Sequence, residues 1–153
     1  MRTLLATLLC AAALPAVAAD GAALFAQHCA ACHQPGGVGL PGLAPPLAGT
    51  LGERLKIAGR GYLPRVVMHG MTGPITVQGA RYTGAMPPFG TQLPDEALAA
   101  VLNHVLEGFN AGTLPEGHQA YTPAELAEAR ETRLAPHAVR KLRDGPPRAG
   151  SGS

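Results

Sequence analysis

The chain has no tryptophan, and aromatic residues make up only 4% of its 153 positions. Aromatic rings supply much of the buried area of an ordinary core. A chain built from Ala, Gly and Pro with few large side chains is underfurnished for a self-sufficient one. Charge is scarce as well: 14% of residues are charged and the net charge is +2. The basic residues form no stripe interleaved with aromatics, which argues against nucleic-acid binding. The surplus is too small to specify an acidic partner. Cysteine is rare, with three in the whole chain.

A long apolar run is also missing. Leu4 to Val17 is apolar and broken by Pro15, but it falls short of the roughly 18 residues of a membrane span. Arg2 before it, and the small residues Ala16, Ala18 and Ala19 after it, give the pattern of a secretory signal peptide over residues 1–19. The mature chain then starts at Ala19 or Asp20, exported and without a membrane span. Cys10 lies inside the leader, and Leu9 before it is too large for a lipoprotein cut. Maturation therefore leaves two cysteines, Cys29 and Cys32.

Those two stand in Cys-Ala-Ala-Cys-His, residues 29–33. C-x-x-C-H is the attachment pattern of covalent haem. Two thiols three residues apart share one helical face and can each join a vinyl group, and the adjacent His33 then projects to the iron. A thioredoxin-like dithiol needs a strand before the motif and a helix after it. Here a helical pattern capped by Asp20, with Leu24 and Phe25 on its apolar side, comes first, and a Pro-Gly-Gly loop follows. His28, just before the motif, is expected to face water. A zinc site needs two further soft ligands, and no second cysteine pair exists. The motif therefore predicts one haem c, whose macrocycle supplies the missing apolar bulk.

The sixth iron position has several candidates: Met68, Met71, Met86, His28, His69, His104, His118 and His137. Met86 stands in Tyr82-Thr-Gly-Ala-Met-Pro-Pro-Phe-Gly90. Gly84 allows close approach to a flat surface, and Pro87 and Pro88 stiffen the chain after the sulfur. A soft thioether also raises the reduction potential. Met68 belongs to a helical pattern ending at Gly70 and is expected in the core, with Met71 in the loop beyond. His69 and His104 fall in helical stretches. The residues thus assign His33 and Met86 to the metal.

Residues 29–33, Ala-Pro-Pro-Leu-Ala-Gly at 44–49, Gly-Ala-Met-Pro-Pro-Phe at 84–89 and a last helix from Asp95 resemble the class I, mitochondrial-cytochrome-like family of monohaem c-type cytochromes over residues 20–106. The resemblance implies an all-α, cytochrome c-like fold wrapped around one covalent haem, with its first and last helices crossing. It implies that the Pro45 carbonyl receives the proximal imidazole's N–H, a contact that orients the ring. Tyr82 is expected to hydrogen-bond a haem propionate. The stretch from His69 to Gly90 and the long tail are similar to bacterial periplasmic cytochromes coupled to dehydrogenases or oxidases, so the expected partners are redox proteins.

The expected organisation is a signal peptide at 1–19, a cytochrome domain at 20–110, a C-terminal helical extension at 111–144 and a disordered tail at 145–153. Residues 34–51 read as an irregular loop, Tyr62 to His69 as a short helix, and Ile75 to Val77 as an extended piece. Asp95 to Leu106 is the clearest helix, with Gly108 past its end. Thr122-Pro-Ala-Glu125 is a capping box that opens a helix to about Arg133, and a short helix follows over 135–142. The extension either wraps the globule or docks a partner, and wrapping is favoured for 110–133. The function expected is one-electron transfer with both axial positions filled. The alternatives are a cytochrome subunit of a larger oxidoreductase, a haem-based gas sensor, or a small peroxidase. Nothing beside Met86 offers the acid–base group that a peroxidase needs.

Overall fold

The computed structural model describes residues 19–145. The signal-peptide expectation, apart from residue 19, and the expected tail beyond 145 lie outside them. In chain order the elements are α1 (Gly21–His28), α2 (Ala30–His33), a 3-10 turn (Pro35–Gly37), α3 (Leu51–Ala58) and α4 (Tyr62–His69). A hairpin of β1 (Ile75–Val77) and β2 (Ala80–Tyr82) follows, then α5 (Asp95–Asn110), α6 (Pro123–Glu131) and α7 (Pro136–Leu142). The fold is all-α apart from that small hairpin, as the resemblance implies.

Asp20 caps α1 by accepting from the N–H groups of Ala22 at 3.0 Å and Ala23 at 3.1 Å, satisfying two of the helix's orphan donors. Phe25 then turns its ring into α5, where it packs with Val101 and Val105. The first and last helices of the cytochrome region thus meet.

The apolar stripe of α5 behaves as its period dictates: Leu98, Val101, Leu102 and Val105 are all buried. The helix does not stop before Gly108, however, but continues to Asn110. Tertiary contacts hold the extra turn. The Phe109 ring meets Phe25 edge-on at 5.1 Å. The buried Asn110 amide donates to the Val105 carbonyl at 3.0 Å and accepts from Leu51 N–H at 3.1 Å. That last bond also supplies the N-terminal cap of α3, a helix the local pattern does not announce.

The hairpin pairs Ile75 with Tyr82 and Val77 with Ala80. Its turn, Gln78-Gly79, has φ of 50° and 80°, the doubly left-handed form that matches strand twist. Ile75–Val77 is extended as expected, and β2 is its unannounced partner.

The extension packs on the globule. Thr122 and Glu125 form the expected capping box at the start of α6. Tyr121, Leu126 and Val139 join Leu63, Val67, Leu98 and Leu102 in one apolar cluster. Tyr121 sits under the Arg60 guanidinium, 4.2 Å from its ring centre, and its hydroxyl donates to the Arg60 carbonyl at 2.6 Å. Arg130 binds Asp95 at 2.7 Å and also donates to the Gly90 carbonyl. These bonds tie α6 to both ends of the segment that precedes α5.

Candidate haem site

Cys29 ends α1 and begins α2. Its N–H donates to the Phe25 carbonyl at 2.9 Å, while its own carbonyl receives the N–H groups of Cys32 at 3.2 Å and His33 at 2.9 Å. This compact turn brings both sulfurs and the imidazole to one cavity of about 400 Å³. Both thiols are free. Burial, reinforced by Cys32, pushes the Cys29 thiol up to about 11. It is therefore a poor thiolate nucleophile, which argues against disulfide-exchange chemistry.

The buried His33 imidazole places Nδ1 3.0 Å from the Pro45 carbonyl oxygen. A carbonyl only accepts, so Nδ1 carries the proton and Nε2 keeps the lone pair. Burial lowers the pKa of His33, opposed in part by that same bond. The result is a neutral imidazole, the form that ligates metal.

A second wall comes from the segment after α4. Gly70 ends that helix with φ of 71°, and a side chain there would run into the Met86 carbonyl. Met71 and Met86 exchange two backbone bonds, at 3.0 and 2.9 Å. Phe89 and Gly90 then donate back to the carbonyls of Val67 and Met68 at 2.9 and 3.1 Å. Met86 is thereby pinned to α4 and lines the cavity. Met71 lines it too, but its sulfur already accepts from the Tyr62 hydroxyl at 3.4 Å. Met68 is core, as its helical position predicts. Gly84 lines the cavity, and it also lies close against the Leu43 backbone carbonyl, so this glycine joins two rim loops.

Among the other histidines, His69 Nε2 lies 3.0 Å from the Ala129 carbonyl, and His104 packs between Phe25 and Phe109. His28 differs from expectation. It is half-buried, lines the cavity and meets the Phe89 ring edge-on at 6.2 Å. The long loop lets Phe89 fold back over α1, which no local pattern could announce.

Tyr82 lines the cavity from the end of β2. Sequence reasoning missed its neighbours in that lining: Arg54, Tyr62 and, from just past α7, Arg143. Arg54 donates to the Arg143 carbonyl at 2.7 Å, and Arg143 donates to the Thr76 carbonyl at 3.1 Å. Burial and the nearby Arg143 charge lower the Arg54 pKa, yet a guanidinium stays charged. Two adjacent cations on a largely apolar cavity wall favour an anionic ligand group there.

An apolar slot with two thiols, a neutral imidazole and a thioether, closed by a cationic corner, fits a metalloporphyrin with two carboxylates. Among the described residues no group of three or more His, Cys, Asp or Glu could hold a bare metal ion. Helical shell and donor set together define a c-type cytochrome. Residues 16–105 match the family described as cytochrome c oxidase, cbb3-type, subunit III, and the chain belongs to that family of haem c electron-transfer proteins. It is 44% identical to a cytochrome c-552 of Thermus thermophilus over 139 residues, covering 90% of this chain and 92% of the relative. A second Thermus thermophilus cytochrome c-552 is 44% identical over 122 residues, covering 79% of this chain and 92% of the relative. The longer alignment takes in α6, so similarity reaches into the extension.

Proposed function

We propose that the mature chain is a periplasmic one-electron carrier with a single haem c, joined covalently through Cys29 and Cys32 and ligated by His33 and Met86. The observation that carries this reading is the convergence of the Cys29–His33 turn and the pinned Met86 loop on one cavity. Cys29 and Cys32 would hold the haem by S–H addition across its two vinyl groups, which needs no oxidant or reductant. A haem bound there would supply the one-electron ferric/ferrous couple. His33 would offer Nε2 to the iron while the Pro45 carbonyl fixes the ring, a contact that raises ligand basicity. Met86 would offer a thioether, a ligand that favours the ferrous state. Arg54 and Arg143, with Tyr82 in the same lining, would hold the haem's carboxylates, so the extension would contribute a residue to the haem pocket. Export by a signal peptide over 1–19 suits the compartment in which such thiols are joined to haem, and no helix among the described residues is long and apolar enough to cross a membrane.

Mass spectrometry of the mature protein tests attachment: the chain is heavier by one haem, and a bare chain refutes the reading. Met86→Ala tests the ligand. The haem stays attached, the methionine-to-ferric charge-transfer band disappears, the potential falls and carbon monoxide binds the ferrous form. Met71→Leu keeps the band. An unchanged Met86→Ala spectrum overturns the assignment. The matching family's description favours a second reading, in which this carrier works as the cytochrome subunit of a larger oxidoreductase. Affinity purification from the native membrane distinguishes that reading from a free carrier.

A further inference from the structure

The net charge of +2 hides a sorting of charge along the chain. From Tyr82 to Ala129 there are six carboxylates and no Lys or Arg. From Thr132 to Arg143 the pattern reverses: Arg133, Arg140, Lys141 and Arg143 stand there with no carboxylate between them, and Glu131 and Asp144 border the run. The run is α7 with its flanks. That helix packs on α4 with Val139 fully buried, so His137, Arg140 and Lys141, at i, i+3 and i+4, share its outward side. The hairpin region joins the same face. Arg140 lies along Gly73, where any side chain would strike it. Arg143 donates to the Thr76 carbonyl at 3.1 Å, and Thr76 stands opposite Arg81 in the hairpin. Arg81, Arg133 and Lys141 are exposed, and Arg140 and Arg143 are half-buried. None of these five enters an ion pair: among the described residues the pairs are Lys56 with Glu53, Arg60 with Glu125 and Arg130 with Asp95. Gly73, Thr76 and Arg143 line the cavity, so the cationic face abuts the haem site.

Resting on the carrier reading, we propose that α7 and the hairpin form a docking face for a redox protein of acidic surface, which exchanges electrons at the cationic corner of the haem cavity. Arg140 and Lys141 also suit the C-terminal dipole of α7, but Arg81 and Arg133 lie outside that helix and gain nothing from it. Unpaired charge of one sign gathered on one face steers an oppositely charged partner even when the total is small. Guanidinium forks match carboxylates in shape as well as charge. A lipid surface fits this face less well. Binding at a membrane surface adds buried apolar area to charge, whereas the outward turn of α7 carries His137, Arg140 and Lys141 alone. The exposed Leu142 lies about 100° around the helix from Lys141.

Oxidation of the ferrous holoprotein by ferricyanide tests this, with the trianion standing in for an acidic surface. One electron passes to the oxidant, giving ferric protein and ferrocyanide, and no proton or bond moves. The wild-type rate falls about tenfold between ~0.01 and ~0.5 M salt. Arg140→Gln combined with Lys141→Gln, both outside the cavity lining, slows the reaction about fivefold or more at low salt, and the difference vanishes at high salt. Ala26→Glu combined with Gln27→Glu lowers the net charge equally from exposed positions on α1 and leaves the rate within about twofold of wild type. Midpoint potentials of all three proteins separate a changed driving force from changed docking. A charge-matched α1 variant that slows as much as the α7 variant, or an α7 variant as fast as wild type, overturns the proposal. Binding to phosphatidylglycerol vesicles that survives ~0.5 M salt puts a lipid surface in the partner's place and overturns it as well. The absorption spectrum keeps the two questions apart. A missing sulfur band in wild type faults the ligand assignment, whereas intact bands with unaffected rates fault the docking face alone.

Discussion

Leu126 of α6 is fully buried in one cluster with Leu98 and with Leu63, Val67 and Leu102, which also line the cavity. Truncation to Ala removes the transfer energy of its lost methyl and methylene groups and leaves a cavity. For a fully enclosed leucine the two together cost about 3 kcal/mol. In a chain of this size each kcal/mol moves the midpoint by about 2–4 °C, so Leu126→Ala melts about 6–12 °C lower. Thermal unfolding of the holoprotein, followed by far-UV circular dichroism and by Soret absorption, reads both the fold and the haem pocket. The two signals shift together, because α6 shares one core with α4 and α5. Leu142→Ala, at a position 37% exposed, stays within about 0.5 kcal/mol of wild type. If Leu126→Ala costs no more than Leu142→Ala, the extension is a peripheral strap and the single-core argument fails.

Asn110→Ala orphans the Leu51 N–H and removes the side-chain bond to the Val105 carbonyl. It destabilises by about 2 kcal/mol in chemical denaturation, and a cost near zero would show that α3 does not need this cap. The Arg60 guanidinium beside Glu125 holds its carboxyl at about 2, against an ordinary 4.5. That pair stabilises the fold above pH 4.5 and the contribution is lost as pH falls towards 2. Its size is about 1 kcal/mol after solvent screening. Glu125→Gln removes this part of the acid dependence, and an identical acid-unfolding profile in the variant contradicts the linkage. Arg143→Gln deletes a cation from the haem site, which favours the ferric state and lowers the midpoint potential in a redox titration. An unmoved potential removes Arg143 from the pocket.

Much of the site was legible locally. C-x-x-C-H, the Asp20 cap, the proline-stiffened Met86 loop and the Thr122 capping box each act within about one helical turn, and side-chain chemistry over that range is written in adjacent residues. The α5 stripe was equally readable, because a 3.6-residue period survives any packing. What could not be read depends on partners far along the chain. The cap of α3 is supplied by Asn110, and the last turn of α5 stands on Phe25 and on that same asparagine. His28 is covered because Phe89 folds back over it. Arg143 reaches the cavity only because α6 and α7 wrap α4 and carry it there. Sequence alone therefore determined which chemical groups the protein owns and how each is held locally. Tertiary structure decided which of them face a common space, because the burial that closes that space is a property of several segments packed together and of none by itself.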